Sequence, residues 1–419
     1  MVEGFGRADD RAARRPRRCR QADPRARGLA VRTIAPPYNA ATLAALDQQS
    51  AALLEVFGAN GAERIEPAIV QPADVFLDRL GEELRRRTYV FTSADGSELC
   101  LRPDLTIPTC RAYLARWPNG ERALKLCYAG PVFRADRRMV GSPDQIMQAG
   151  VENIAAANAP AADAEALSLT LEALKRSGLK DADITLGDLS LFAALLDALN
   201  LPAHWAARLK RHVWRPTYTA ELLKRLTGEA GPGNAFLAHI GSLAPADARA
   251  ALRDALTMGG IEPLGARSME EITERFLEQA ADASATRLPR GLADVITAFL
   301  NVKAPVPKAL EAIRKLAKVG GISIDVALTA LERRLSLIER QGVDLSRATF
   351  AAQFGRNMEF YTAFVFEFRT RDDDEPIAGG GRYDTLLQAL GATKPIPAVG
   401  CAIFGERLLA ARRAQGDGR

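Results

Sequence analysis

The sequence predicts an α+β fold, a largely antiparallel sheet with flanking helices and a helical insertion. Three observations predict it. Strand-like segments cluster between 88 and 154, Leu- and Ala-rich helical segments fill about 190–317, and strand patterns return after 349. At 419 residues the chain is long enough for more than one unit.

Taken in order, the first element is an amphipathic helix after Pro36-Pro37, capped by Asn39 or Thr42. Leu43, Leu46, Leu53, Leu54 and Phe57 recur at helical spacing, and Gly58 is the expected stop. Residues 63–70 read as a short edge strand, because Pro67 cannot donate to a central ladder. TYVFT (88–92) and ELCLR (98–102) form a hairpin turning at Asp95-Gly96. Strands are expected at 123–128, 131–135 and 145–154, with a polar loop at 136–144. A helix over 163–176 takes Asp163 as its cap, presents Leu167, Leu171 and Leu174, and ends at Gly178. DITLG (183–187) returns to strand. Prolines 202, 216, 232, 245, 263 and 289 break the helical insertion. A helix near 323–341 leads to strands at 349–353 and 361–370, a short strand entering AGGGRYD, and a closing helix at 402–413.

Composition narrows the function classes. Apolar residues are 47% and charged residues 26%, ordinary for a soluble globular protein. No apolar run reaches the roughly 20 residues of a membrane span. Three histidines (His204, His212, His239) and five scattered cysteines lack metal-site spacing, so neither a metal nor a cofactor is expected. The cysteine usage and the lack of a signal-peptide core point to the cytoplasm. The total charge is +5, but residues 1–32 hold ten arginines against four acids, leaving −1 for the rest. A nucleic-acid binder needs its basic residues on the folded surface that tracks phosphates. The basic leader has no apolar period and reads as disordered, an upstream start of the reading frame being the preferred explanation.

Alternation exposes two faces of interest. In QIMQAGVENIA (145–155), Met147, Ala149 and Val151 point one way and Gln148, Gly150 and Glu152 the other. By itself that pattern fits a strand with one solvated side. In 361–368, Thr362, Phe364, Phe366 and Phe368 share one face, while Tyr361, Ala363, Val365 and Glu367 share the other. Arg356 lies just upstream; taken singly, such an arginine more often serves an ion pair than a ligand. Together, carboxylate, amide, guanidinium and phenol groups suit an amino acid, and three glycines in AGGGRYD (378–384) let backbone approach it closely.

In order, these segments resemble the class II aminoacyl-tRNA synthetase core, specifically that of histidyl-tRNA synthetase, over about 35–413. LRPDLT (101–106) is similar to the family's L-R-P-E-G-T, and GPVFRADRR into QIMQAGVE resembles motif 2. GRNMEFYTAFVFE and AGGGRYD resemble the two histidine motifs, and GCAIFGERL resembles motif 3. The resemblance implies a histidine pocket of Asp104, Thr106, Arg134, Gln148, Glu152, Arg356, Tyr361 and Tyr383. It implies a vestigial nucleotide site of Arg134, Phe404 and Arg407.

Four departures shape the expected function. Twelve residues follow Arg407, where the synthetase has an anticodon-binding domain, so none is expected. Ser142 and Asp144 stand where the motif 2 loop usually has further basic residues. Phe404 fills a motif 3 glycine position, and a phenyl ring there should crowd adenine. Asp104 replaces a glutamate and Leu105 the glycine after it; one methylene shorter, Asp104 makes a weaker or water-mediated contact to an α-ammonium. An amino-acid pocket without nucleotide apparatus is similar to the synthetase paralogues that act as regulatory subunits of ATP phosphoribosyltransferase. That similarity implies no catalysis by this chain, hetero-oligomerisation with a short-form catalytic subunit, synthetase-like self-association, histidine as effector, and no tRNA. The alternatives are a divergent minimal histidyl-tRNA synthetase and a free-standing amino-acid sensor. The expected organisation is a leader (1–32), a core in two parts (33–190 and 318–413) and the insertion (191–317).

Overall fold

The computed structural model describes residues 38–77, 85, 87–135, 144–229, 235–258, 273–274, 276–277, 287–354, 360–370 and 375–416. Helix α1 (Ala40–Ala59) opens on Asn39, whose side chain accepts the Thr42 N–H at 2.8 Å. Its buried stripe is Leu46, Leu53, Val56 and Phe57; Leu43, expected inside, is half exposed. Gly58 does not end the helix. Asn60 caps it and Gly61 supplies the left-handed residue at φ +82°.

The expected strand 63–70 is two pieces, β1 (Glu63–Arg64) and β2 (Val70–Pro72), with Pro67 between them. After the short helix α2 (Asp74–Leu77), β3 (Val90–Thr92) and β4 (Glu98–Leu101) pair antiparallel as a hairpin. These two and β2 form a small sheet, ordered β2-β4-β3. Helix α3 (Thr106–Leu114) follows. The two strands expected at 123–135 are one, β5 (Leu124–Phe133), paired along its length with β6 (Gln145–Ile154). Pro131 is tolerated because β1 covers β5 only at Leu126 and Cys127, so no ladder partner on that side needs its missing N–H. The expected loop at 136–144 lies outside the described residues except for Asp144.

Helix α4 (Ala159–Arg176) starts four residues earlier than expected, and its cap is Asn158, which accepts the Ala161 N–H. Asp163 is not a cap: it lies inside the helix, fully buried. Strand β7 (Asp183–Asp188) leads into α5 (Leu189–Ala198), α6 (Ala203–His212), α7 (Pro216–Thr227), α8 (Ala235–Ser242) and α9 (Pro245–Met258). Helix α10 (Arg290–Leu300), strand β8 (Lys303–Pro305) and α11 (Val306–Gly320) come next, so the helical stretch also supplies an edge strand. Helix α12 (Asp325–Arg340), β9 (Thr349–Ala351), β10 (Phe364–Arg369) and β11 (Ala378–Arg382) complete the return. After the short α13 (Leu386–Ala389), a strand replaces the start of the expected closing helix: β12 (Ala398–Phe404) precedes α14 (Gly405–Ala414). All seven β12 residues are buried, so their apolar run could be read as either element.

The large sheet has nine strands in the order β1-β5-β6-β12-β11-β10-β7-β9-β8. The β1/β5 and β7/β9 pairs are parallel and the others antiparallel. Phe364, Phe366 and Phe368 enter the main core, as expected. Both faces of β6 are covered, so Gln148 and Glu152 are buried rather than solvated. No helix among the described residues is long and apolar enough to cross a membrane.

A buried ionic node ties the layers together. The two carboxylate oxygens of Asp163 in α4 meet two arginines: Oδ2 accepts Arg334 Nε from α12 at 2.6 Å, and Oδ1 accepts Arg382 Nε from β11 at 2.8 Å. Arg334 also bonds Asp188 at the end of β7 at 2.8 Å, and Arg382 bonds Asp384 at 2.7 Å. Removing one member of such a group strands the buried charge left behind. Arg334→Met is therefore expected to lower unfolding free energy by about 3–5 kcal/mol. A denaturant melt measures it, and a loss under about 1 kcal/mol would class the node with ordinary surface pairs.

Candidate functional site

Strand β6 carries Gln148 and Glu152 four residues apart, hence on one face at the middle of the sheet. Their environments differ. The Gln148 amide oxygen accepts the Leu105 N–H at 2.9 Å, docking the start of α3 onto the strand. Asp104 Oδ1 accepts the Ile107 N–H at 3.1 Å, the role of a capping carboxylate. This leaves Asp104 Oδ2 and Gln148 Nε2 buried with no hydrogen-bond partner, one acceptor and one donor. Burial raises the Asp104 carboxyl above its usual range, opposed by the Ile107 amide and by Arg134.

Glu152 is surrounded by hydroxyls. Tyr128 in β5 donates to Oε1 at 2.7 Å, Tyr383 after β11 donates to Oε2, and Thr106 at the start of α3 also bonds it. Burial pushes its carboxyl up to about 7 against these three bonds, with the Asp104 charge adding to the rise. The register places Gly400 of β12 opposite Glu152, and a Cβ there would lie 1.6 Å from Oε2. Only glycine leaves room for this carboxylate. Tyr383 packs edge-on to Phe360 and Tyr361, whose centroids lie 5.6 and 6.5 Å away. Arg382 and Asp384 of the ionic node flank Tyr383 in sequence, and Asp384 Oδ1 also accepts the Ala398 N–H that begins β12.

Arg134 follows β5; its Nε donates to Pro103 O at 2.7 Å. Two guanidiniums lie over the Phe404 ring at the end of β12, Arg134 at 5.4 Å and Arg407 at 4.5 Å from its centroid. Phe404 is 2% exposed. Arg407 in turn donates to Pro376 O at 2.9 Å and pairs with Glu375.

The structure thus gathers Asp104, Thr106, Gln148, Glu152, Tyr361 and Tyr383 around one end of α3, with Arg134, Phe404 and Arg407 beside them. Arg356 lies outside the described residues. Two participants escaped the sequence reading, Tyr128 and Gly400. Period-2 alternation places Tyr128 on a face, but the β5/β6 register sets it opposite Gly150, and its bond to Glu152 runs diagonally to a residue two positions along β6. The strand expected to enter AGGGRYD runs through its glycines, Ala378–Arg382, and those glycines serve close packing: a Cβ on Gly380 would come within 2.1 Å of Gly400 O. Among the described residues no group of three or more His, Cys, Asp or Glu is placed to hold a metal.

The histidyl-tRNA synthetase family model matches residues 37–262 and 264–408. The ATP phosphoribosyltransferase regulatory subunit of Chelativorans sp. (strain BNC1) is 36% identical over 371 residues, 87% of this chain and 97% of that protein. That of Agrobacterium fabrum is 36% identical over 366 residues, 86% of this chain and 96% of that one. Among solved structures, an ATP phosphoribosyltransferase regulatory subunit/histidyl-tRNA synthetase from Bacillus halodurans aligns with a TM-score of 0.64 at 21% identity. It covers 91% of this chain and 83% of that one.

Glu152 links this site to stability through pH. Folding raises its carboxyl from the usual 4.5 to about 7, so over that interval the native state holds a proton that the unfolded chain has lost. Stability contributed by this group is complete below about pH 4.5 and falls as pH rises through about 7, by on the order of 3 kcal/mol. Glu152→Gln is expected to remove that decline, seen as a smaller difference between urea midpoints at about pH 5 and about pH 8. An unchanged difference would place the titration elsewhere.

Proposed function

The chain belongs to the histidyl-tRNA synthetase-like family that includes the ATP phosphoribosyltransferase regulatory subunits, and from that premise we propose that it is the regulatory subunit of an ATP phosphoribosyltransferase. It acts in the first step of histidine biosynthesis by activating a short-form catalytic subunit and carrying part of the histidine feedback. It performs no chemistry itself, self-associates as synthetase cores do, works in the cytoplasm and requires neither tRNA nor a cofactor.

The observation that carries this reading is the Phe404 ring in contact with both Arg134 and Arg407. In an adenylating enzyme of this family the resemblance assigns those two arginines to the nucleotide. Here each guanidinium faces a phenyl group, and Arg407 is further engaged by Glu375 and Pro376 O. The amino-acid side of the site, by contrast, keeps a buried acceptor on Asp104 and a buried donor on Gln148, groups that an α-ammonium and an α-carboxylate would satisfy. Arg356 and Tyr361 complete the pocket by resemblance. The divergent-synthetase reading fits this arrangement less well.

Histidine regulates by binding one state of the assembly more tightly than another, and such couplings run to about 1–3 kcal/mol. Mixing the purified chain with a short catalytic subunit is expected to give a stable complex and to raise phosphoribosyl-ATP formation. Two proteins that neither associate nor activate would overturn the reading. Within the complex, Tyr361→Ala is expected to weaken inhibition by histidine about tenfold while basal activation changes less. Unchanged inhibition would move the effector site to another surface.

A further inference from the structure

Tyr361 and Tyr383 both stand beyond the end of a ladder. The β10/β11 pairing runs from Phe368 opposite Ala378 to Val365 opposite Gly381. Continued, that register would set Ala363 opposite Tyr383. Each of these residues bonds elsewhere instead. Ala363 O accepts the Leu189 N–H from the start of α5 at 3.1 Å, and the Tyr383 N–H donates to Ala398 O of β12 at 2.8 Å. The two tyrosines therefore need another link to hold them in one arrangement.

Thr362 supplies it. Its N–H donates to Arg382 O at 2.8 Å, and its hydroxyl donates to the same oxygen at 3.3 Å. The hydroxyl also accepts the Asp384 N–H at 3.2 Å. Thr362 thus bonds the residues on both sides of Tyr383 while following Tyr361 directly in the chain. Its targets are anchored in turn: Asp384 Oδ1 accepts the Ala398 N–H at 3.0 Å, and Arg382 Nε is held by Asp163 at 2.8 Å. Gly381 keeps the space beside Tyr361 open, since a Cβ there would lie 3.0 Å from Tyr361 Cδ1. In alternation Thr362 is in step with Phe364, Phe366 and Phe368, so valine would serve its packing as well. The hydroxyl is the part that packing does not require.

We propose that Thr362 is a positioning residue for the effector: its hydroxyl fixes Tyr361 and Tyr383 relative to one another and acts on the ligand through them, without touching it. The inference rests on the histidine reading above. With the hydroxyl removed, the Asp384 N–H loses its acceptor and the turn carrying Tyr383 loosens from the segment carrying Tyr361. Ligand binding then has to order both tyrosines, and affinity falls by that ordering cost.

Titration calorimetry of histidine into the full chain tests this with two hydroxyl-free variants and one conservative one. Thr362→Val, which keeps the shape, is expected to bind histidine about fivefold more weakly. Thr362→Ala is expected to lose a similar factor, and urea midpoints identify which variants are native. Thr362→Ser keeps the hydroxyl and is expected to bind within about twofold of the unmodified chain. The decisive arm is the double variant. In a Tyr361→Ala background, Thr362→Val is expected to add less than about twofold, because the residue it acts through is already gone. Unchanged binding by native Thr362→Val and Thr362→Ala, or equal losses in Thr362→Ser and Thr362→Val, overturns the positioning role. The same fivefold loss on top of Tyr361→Ala also overturns it, since Thr362 would then act independently of that ring. In each of those cases histidine binding by the unmodified chain leaves the site itself standing. Failure of the unmodified chain to bind histidine overturns the site and this inference together.

Discussion

The Asp163 carboxylate is the constraint on which the rest of the structure depends. Buried within α4, it joins Arg334 of α12 to Arg382 of β11, and through Arg334 reaches Asp188 at the end of β7. Four elements far apart in sequence are thereby held in one register. Burial raises the Asp188 carboxyl, and Arg334 with Ser190 draws it back down, so its charge depends on those partners. The node also reaches the pocket. Arg382 precedes Tyr383, whose hydroxyl bonds Glu152, and Asp384 anchors the first residue of β12. Stability and ligand geometry share the same charges.

Within the sheet, the central strands are built for close approach. Gly380, Gly381 and Gly400 leave space where side chains would collide, and Glu152 occupies part of it. Where the resemblance puts amino-acid recognition, Glu152 is bonded by three hydroxyls, while Asp104 Oδ2 and Gln148 Nε2 are buried without a hydrogen-bond partner. The nucleotide half differs, because its arginines already hold a phenyl ring. Under the proposed function, retained polarity beside a phenyl ring in the nucleotide space is what a binding protein needs and what an adenylating enzyme could not use.

Much of this was legible in the sequence, for physical reasons. Hairpin turn chemistry at Asp95-Gly96, the Asn39 cap and the phenylalanine stripe of β10 are local patterns, and each recurs in the structure. Asp163 shows the limit. Its spacing before an apolar stripe looks like a cap, whereas its arginines lie 171 and 219 positions away, beyond any local signal. Strand β12 was hidden for a related reason: a fully buried central strand loses the alternation that would mark it. Gly400 became visible only through register and Tyr128 only through its diagonal bond across the β5/β6 pair, and Phe404 was recognisable as a departure before two arginines were found over its ring.

The central claim is that this fold keeps amino-acid recognition and has given up nucleotide activation. Histidine-dependent exchange of pyrophosphate into ATP by the purified chain tests it most directly, since exchange requires both halves of the site at once. The account predicts no exchange above background at saturating histidine, under conditions where calorimetry shows histidine bound. Robust histidine-dependent exchange would contradict it, because the space beside Arg134 and Arg407 would then have to admit a nucleotide despite Phe404.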